Sequence, residues 1–303
     1  MTQVTIAIPF YSGLEYLRGA LDSLLGQTCS DWRGIVVDDA GPDPDARELV
    51  ESYHDQRLRY VRNETNLGLA GNWNHCLRIA DTECATLFHA DDELEPEYVS
   101  LVLDGHRRHP QAVAVYTRAR VIGASGRRLV SVPDVVKRFS APRRRGDVTV
   151  LEGDDGLASL LWGQHVFCPS VSYKRSLLGP EPFDRRWRQV LDLDLLARLL
   201  LAGQHLVGLH EVGYVWRRHA ASESAQLTKD LIRFEEEFAV YQEIGAKASA
   251  ADWSRAARVG EQSRVLKAHV LYRSMAQLLH GDVAAARACL RFLRHREASQ
   301  VTT

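Results

Sequence analysis

The first hundred residues alternate between short, strongly apolar runs and helical patterns, and this alternation restricts the possible folds more than any other feature. "VTIAIPF" (4–10) and "GIVVDDAG" (34–41) indicate strands, whereas "LEYLRGALDSLLGQ" (14–27) has leucines at helical spacing. Strands without polar alternation are buried on both faces, as in parallel sheets with crossover helices. The pattern therefore predicts an α/β domain whose mostly parallel central sheet is flanked by helices.

The alternation continues as far as residue 92. Helical patterns over 45–55 and 70–80 follow the second and third strands, and the runs at 58–63 and 84–92 indicate two further strands. In such sheets, ligands bind beyond the carboxyl ends of the strands. We therefore expect the functional site at that edge.

Adjacent acids follow two of the predicted strands. Asp38 and Asp39 end one strand, and Asp91 and Asp92 end another. Like charges held this close repel each other unless a positive group lies between them. Each pair has two interpretations, a ligand site or a solvated turn, and their shared position at one sheet edge favours a site.

Bulk properties set limits on domain number and location. The 303 residues suit one large domain, or a main domain with an appendage, and a net charge of −1 says little about partners. The five cysteines are dispersed, which is typical of reduced thiols in the cytoplasm. We predict a cytoplasmic protein, because no segment has a signal-peptide pattern or the ~20 apolar residues of a membrane-spanning helix. Any membrane contact would be peripheral, at the inner face.

Residues 107–145 carry eleven Lys and Arg against one acid, Asp134. Within this segment, "KRFSAPRRRGD" (137–147) has turn residues and no periodicity. One interpretation is a solvated surface loop. The other is a lid near a phosphate-bearing substrate, or a contact with anionic lipid.

From Leu227 onward the sequence has helical patterns, so we divide the chain into a main domain over 1–225 and a helical C-terminal extension over 226–303. The last fifty-three residues carry nine basic and four acidic side chains, and their three aromatic residues, Trp253, Tyr272 and Phe292, are too few to form a stacking series among the basic ones. We therefore predict a solvated face and no nucleic-acid partner. The extension should pack on the main domain or form an oligomer. Its last helix is predicted to have one apolar face, formed by Val283, Ala286, Cys289, Leu290 and Leu293.

Several motifs occur in a characteristic order. After the opening stretch from Val4 to Asp43 come "NETNLGLAGNWN" (63–74), "LFHADDELEP" (87–96), "PSVSYKRSLL" (169–178), "DLDLLARLLLAG" (192–203) and "YVWRRH" (214–219). Over residues 3–222 the chain resembles the family-2 glycosyltransferases, which have the GT-A fold. The resemblance implies inverting transfer of a sugar from a nucleoside-diphosphate sugar, with a UDP- or dTDP-sugar favoured, to an acceptor hydroxyl. The acceptor could be a saccharide, a lipid-linked saccharide or a small molecule.

The resemblance also implies residues that bind the nucleotide. The second acid of the first pair would accept the N–H of a pyrimidine ring, and the loop after the first strand would line the nucleoside. The "NxG…N" motif would shape the same pocket. The predicted nucleotide-binding residues are Pro9, Tyr11, Asp39, Asn66, Gly68, Asn74 and Asp91.

Asp91 and Asp92 match the metal motif of the family. Hard divalent cations prefer carboxylate oxygens, so Mn²⁺ or Mg²⁺ is the expected cofactor. His89 stands where the fuller motif has an acid; it either ligates the metal or packs beside the strand end. His219 and Arg218 are predicted to lie near the diphosphate and metal.

The family has its catalytic base at an acid just before a helix, and Asp192 matches that acid. Asp194 is the alternative base, and Leu191 occupies a position where a glutamate is common. A single general base implies in-line displacement with inversion at the anomeric carbon.

Three other functions are less consistent with the motifs. A nucleotidyltransferase would carry a glycine-rich basic loop after the first strand, but "PFYSGLEYL" has one glycine and no lysine. A dinucleotide oxidoreductase would need G-x-G-x-x-G at this position. A non-catalytic nucleotide-sugar-binding protein would lack a key acid, and its sole support is His89.

Overall fold

A computed structural model describes residues 3–129, 146–219, 227–228 and 231–301, with side chains as far as Arg294. The strands are β1 (Val4–Phe10), β2 (Trp32–Asp38), β3 (Leu58–Arg62), β4 (Cys84–Leu87), β5 (Glu93–Leu94), β6 (Ala114–Gly123), β7 (Val148–Leu151), β8 (Val171–Lys174) and β9 (Leu206–Arg218). The helices are α1 (Leu14–Leu25), α2 (Ala46–Glu51), α3 (Gly68–Ile79), α4 (Tyr98–Arg108), α5 (Gly153–Gly163), α6 (Leu191–Leu201), α7 (Ile232–Ala250), α8 (Ser254–Gln262), α9 (Arg264–Leu279) and α10 (Val283–Val301).

The described strands form one sheet in the order β3-β2-β1-β4-β8-β6-β9-β5, and β7 pairs with β9. The four strands from β3 to β4 are mutually parallel, as predicted. The rest of the sheet is mixed, which corrects the prediction of a mostly parallel sheet. Every described antiparallel pairing involves β5, β7 or β8. These strands have two to four residues, too few to produce a period in the sequence.

Successive residues of β2 point to opposite faces of the sheet. Ile35 and Val37 pack into one hydrophobic cluster, with residues of α3, α5 and α6, whereas Val36 packs into a second, with α1, α2 and α4. The sheet is therefore covered on both faces, as its apolar strands predicted.

The helical C-terminal region is present, and its first helix contributes to the core. Phe234, Phe238 and Tyr241 of α7 are fully buried, in the same cluster as Leu196 of α6. The division at residue 226 stays a prediction. In α10, Ala286, Cys289 and Leu293 are buried, as expected of the predicted apolar face, but Val283 and Leu290 are 46% and 39% exposed. The predicted face was therefore too wide.

The basic segment 107–145 lies partly outside the described residues, which stop at 129 and resume at 146. Among the described residues, three of its arginines form ion pairs: Arg107 and Arg108 both pair with Asp104, the second at 2.6 Å, and Arg120 pairs with Glu95 at 2.6 Å. In the described part of the chain, no helix combines the length and apolar character needed to cross a membrane.

Candidate active site

The predicted acids lie at one edge of the sheet. β1, β2 and β4 are parallel neighbours, with Phe10 opposite Asp38 and Ala7 opposite Leu87. Their carboxyl ends therefore meet at the same edge. The first acid pair follows β2 there, and the second follows β4.

Asp38 is bound entirely to the scaffold. Its side chain is buried, and Oδ1 accepts a hydrogen bond from the Gly41 backbone N–H at 2.7 Å. Oδ2 accepts from the Tyr60 hydroxyl and from the Arg62 guanidinium. This carboxylate ties the end of β2 to the turn that follows and to β3, and its charge is balanced by Arg62.

The loop between β1 and α1 packs tightly on the turn after β2. A Cβ at Gly41 would lie 1.7 Å from the carbonyl oxygen of Tyr11, so only glycine fits. The N–H of Gly13 donates to Asp43 Oδ2 at 2.7 Å. These contacts fix the loop while the side chain of Tyr11 stays 52% exposed at the site, and Pro9 lies in β1 opposite Val37.

Asp39 is also buried, but its two oxygens differ. Oδ1 accepts hydrogen bonds from Asn63 Nδ2 and from the Leu67 backbone N–H, both at 2.8 Å. Within the described residues, Oδ2 accepts no hydrogen bond. Asn66 Oδ1 accepts from the Gly68 N–H at 2.9 Å, and Gly68 has a φ of 72°. The "NxG" motif thus shapes the turn that presents the Leu67 N–H to Asp39.

Asn63 was not among the predicted site residues. Its amide donates to Asp39 Oδ1 and to Asn72 Oδ1 at 3.0 Å, and its Oδ1 lies 2.6 Å from His75 Nδ1. Because an amide oxygen only accepts, His75 must donate from Nδ1. Burial lowers the pKa of His75, which favours the neutral ring. The sequence signal was its position, because Asn63 ends the third predicted strand, at the carboxyl edge of the sheet.

Asn74 lies away from this network. It is fully buried, Nδ2 donates to the Phe183 carbonyl at 2.8 Å, and Oδ1 accepts from the Phe183 N–H at 2.9 Å. Both ends of the amide are therefore engaged by a segment 109 residues away. The structure gives this predicted nucleotide-binding residue a scaffold role.

Asp92 is 1% exposed and accepts two hydrogen bonds from neutral donors. The Tyr214 hydroxyl donates to Oδ2 at 2.7 Å, and the Arg217 backbone N–H donates to Oδ1 at 2.7 Å. Burial, reinforced by the charge of Asp91, raises the pKa of Asp92 well above its ordinary value. This acid holds the end of β9 against the turn after β4.

Asp91 is the more accessible acid of the pair. Its Oδ2 lies 2.9 Å from His219 Nε2, and the ring of His219 stacks on Tyr16 at 4.7 Å between centroids. The guanidinium of Arg217 donates to the Asp91 carbonyl and pairs with Glu93. Residues 128 positions apart thus meet at one point, and His219 lies beside the acid pair as the prediction requires.

His89 lies between the second acid pair and α3. Its Nδ1 is 3.8 Å from Asp92 Oδ2, and its ring packs against Trp73 at 5.3 Å between centroids. Within the described residues, Nε2 is buried without a hydrogen-bond partner. Burial lowers the pKa of the ring, so it is a neutral candidate ligand.

One ligand atom from each of His89, Asp91 and Asp92 lies within 4.8 Å of the others. Carboxylate oxygens with an imidazole nitrogen suit a divalent cation such as Mn²⁺. The group therefore fits the predicted cofactor. Arg218, also predicted for this region, has its guanidinium 4.3 Å from the centre of the Trp216 ring.

The two acids at the start of α6 differ in accessibility, as Asp91 and Asp92 do. Asp194 is 1% exposed, and its Oδ2 accepts a hydrogen bond from Arg198 Nε at 2.8 Å and lies 2.8 Å from Nη2 of the same guanidinium. Asp192 is half-buried, and its charge acts on Cys168 and Tyr173, whose pKa values are raised mainly by burial. Asp192 is thus the acid of the two that remains partly accessible.

The chain is similar to known proteins in both sequence and fold. Residues 5–152 match the family model "Glycosyl transferase family 2". The chain is 32% identical to the chondroitin synthase of Escherichia coli over 124 residues, which are 41% of this chain and 18% of that protein. It is 30% identical to the putative glycosyltransferase EpsE of Bacillus subtilis over 141 residues, 44% of this chain and 50% of that one. The matches therefore span half or less of these relatives.

The fold is similar to that of S. aureus TarS. A structure of TarS 1–349 covers 97% of this chain and 92% of its own, at 16% identity and a TM-score of 0.58. The same fragment in complex with UDP-GlcNAc gives a TM-score of 0.59 at 16% identity. These likenesses confirm the predicted GT-A-like fold class, and the family model confirms the resemblance found in the sequence motifs.

Proposed function

We propose that this chain, whose residues 5–152 match the model of glycosyl transferase family 2, transfers a sugar from a nucleoside-diphosphate sugar to an acceptor hydroxyl. One observation carries the proposal. Asp39 and the Asp91–His219 pair lie at the same sheet edge. Asp39 is suited to bind the nucleotide base, and the Asp91–His219 pair is suited to bind a diphosphate with its cation. The chain spans half or less of the two curated relatives named above, so the activity of the whole protein is part of the proposal.

Asp39 recognises the base. Its Oδ1 is held by Asn63 and the Leu67 N–H, which leaves Oδ2 to accept the ring N–H of a pyrimidine. The exposed ring of Tyr11 lies on the neighbouring loop and can pack against the nucleoside. A UDP- or dTDP-sugar is therefore the favoured donor, and the UDP and UDP-GlcNAc complexes of TarS support the choice.

The diphosphate binds beside Asp91 and His219. Asp91 is the better direct ligand of a divalent cation, since Asp92 is almost fully buried and both of its oxygens accept hydrogen bonds. His89 completes the set, and an imidazole ligand favours Mn²⁺ over Mg²⁺. The cation, when bound, supplies positive charge to the departing diphosphate.

Asp192 acts as the general base. It lies half-buried in the first turn of α6, where the helix dipole favours an ionised carboxylate. Asp194 is excluded from this role by its buried pairing with Arg198. Removal of the acceptor proton by one carboxylate gives displacement with inversion at the anomeric carbon.

The test measures release of UDP from a panel of UDP- and dTDP-sugars, with Mn²⁺ and with a chelator. Asp192→Asn should lower turnover by roughly 10²–10⁴-fold, the range for loss of a general base, and leave UDP binding unchanged. Asp194→Asn is the matched control on the same helix: it should retain turnover and lower the melting temperature, because Arg198 loses its partner. Full turnover in Asp192→Asn would overturn the base assignment. Failure to bind any nucleoside diphosphate would overturn the proposed function.

A further inference from the structure

We propose that the outward face of the α9–α10 hairpin binds an anionic lipid surface. This hairpin face has an apolar part that is exposed among the described residues: Leu271 (46%), Tyr272 (46%), Met275 (64%), Leu278 (50%), Leu279 (86%), Val283 (46%) and Leu290 (39%). Seven large apolar side chains on one helical hairpin form a patch of the kind that marks an interaction site.

The apolar residues of the hairpin face are not needed for packing between α9 and α10. Inward-facing Leu266 and Val270 of α9 and Cys289 of α10 are already buried. Ser274 Oγ, on the same inner side, donates to the Ala286 carbonyl at 3.1 Å. The contact between the two helices is therefore complete without the hairpin face.

The exposed residues of α9 follow helical spacing. Leu271, Met275 and Leu278 are separated by four and three residues, which aligns them along one side of the helix. Leu279 and Val283 continue the patch to the turn, where Gly281 has a φ of 81°. The most exposed apolar residue, Leu279, thus lies at the tip of the hairpin, where it can enter a bilayer interface first.

The charged residues beside the hairpin face favour an anionic partner. Arg287, Arg291 and Arg294 are exposed on α10, and Arg264 is exposed at the start of α9, whereas Asp282 is the acid at the turn. Basic residues beside exposed apolar ones are typical of helices that lie in the headgroup region of anionic membranes. A two-fold contact with a second copy would place the same arginine-bearing face on both sides of the interface, which costs free energy. Anionic lipid satisfies both the charge and the apolar surface.

The mode of binding is peripheral. The exposed side chains of the hairpin face form a surface on which contact can occur. On this face, apolar side chains would enter the acyl boundary while the arginines meet lipid phosphates. The interaction does not depend on the proposed sugar transfer, because the site residues lie on other elements.

The experiment is co-sedimentation of the full chain with vesicles of phosphatidylcholine alone or mixed with phosphatidylglycerol. We expect binding to the mixed vesicles, and roughly tenfold weaker binding at high salt, since the arginine contribution is screened. Met275→Ser/Leu279→Ser should weaken binding at any salt concentration. Arg287→Glu/Arg291→Glu should abolish the preference for phosphatidylglycerol. Val212→Ser and Arg47→Glu, which alter exposed residues on other elements, are the matched controls and should bind like the wild type.

All variants should keep the circular dichroism spectrum and the UDP release of the wild-type protein. Three results would overturn the proposal. They are no binding of the wild type to mixed vesicles, equal binding of the wild type to both vesicle types, or wild-type binding by both Met275→Ser/Leu279→Ser and Arg287→Glu/Arg291→Glu. A wild-type dimer in size-exclusion chromatography that becomes monomeric in Met275→Ser/Leu279→Ser would assign the face to a second copy and would also overturn it.

Discussion

The acid pairs after β2 and β4 have the same arrangement but a different charge balance. In each pair, one carboxylate binds the scaffold through both oxygens: Asp38 in the first, Asp92 in the second. The adjacent acid, Asp39 or Asp91, keeps capacity for a ligand. The scaffold acid of the first pair is bound by a guanidinium, Arg62, whereas that of the second is bound by a hydroxyl and a backbone N–H.

This difference makes the second pair, rather than the first, the better candidate for a bound cation. The charge of Asp38 is balanced within the scaffold. Among the described residues, Asp92 accepts its hydrogen bonds from a hydroxyl and a backbone N–H, and burial together with the charge of Asp91 raises its pKa. The charge that the scaffold leaves unbalanced is the charge a metal ion can offset.

Removing the outward acid of the second pair should produce the largest effect. Asp91→Asn takes one charge from the candidate cation site, and we expect UDP release to fall by about 10²–10³-fold, as for other lost transition-state contacts. Turnover at a series of Mn²⁺ concentrations measures the loss. Asp45→Asn, an exposed acid at the start of α2 without a side-chain cap, is the control. Wild-type turnover in Asp91→Asn would place the cation elsewhere.

Substitutions in the first acid pair should separate donor binding from the stability of the protein. Asp39→Asn replaces a charged acceptor, so we expect the donor KM to rise about 10- to 100-fold, as when a hydrogen bond to a charged group is lost. Asp38→Asn should leave KM near the wild-type value and lower the melting temperature by roughly 4–8 °C, because the turn after β2 loses its anchor. Donor titrations and thermal melts of both variants make the comparison. The reverse result would exchange the roles of the two acids.

The raised pKa of Asp92 predicts how stability changes with pH. In the cation-free protein, the folded state holds this proton more tightly than the unfolded state, whose value is near 3.8. The stabilisation is therefore complete below that value and is lost as pH rises through the folded pKa, by at most about 1.4 kcal/mol per pH unit.

Urea unfolding in chelator, over a series of pH values from 4 upward, measures this slope. Asp92→Asn cannot ionise and should show a flatter profile than the wild type. Equal slopes in the two proteins would mean that the environment of Asp92 does not disfavour its charge.

The smallest effect is expected at Asn63, which acts on the site through Asp39. Asn63→Ala removes one donor to Asp39 Oδ1 but retains the Leu67 N–H. We expect the donor KM to rise about threefold, with kcat unchanged, since the loss affects ground-state and transition-state binding equally. A large fall in kcat would instead show that Asn63 contributes to the chemical step.

Much of the fold and part of the site could be predicted from the sequence. The strands and helices as far as residue 92 have local periodicity, so their order was predicted correctly. The acids were placed at strand ends for the same reason. The short strands β5, β7 and β8 were missed because their pairing, rather than their composition, defines them.

The sequence by itself determined which acids reach the sheet edge, because a strand carries its last residues to a known position. Only the tertiary structure decided which acid of each pair binds the scaffold. Asp38 receives its donors from Tyr60 and Arg62, 22 and 24 residues away, and Asp92 receives its donors from β9, 122 and 125 residues away. The role of a carboxylate depends on the donors that surround it, and distant segments bring those donors only when the chain folds.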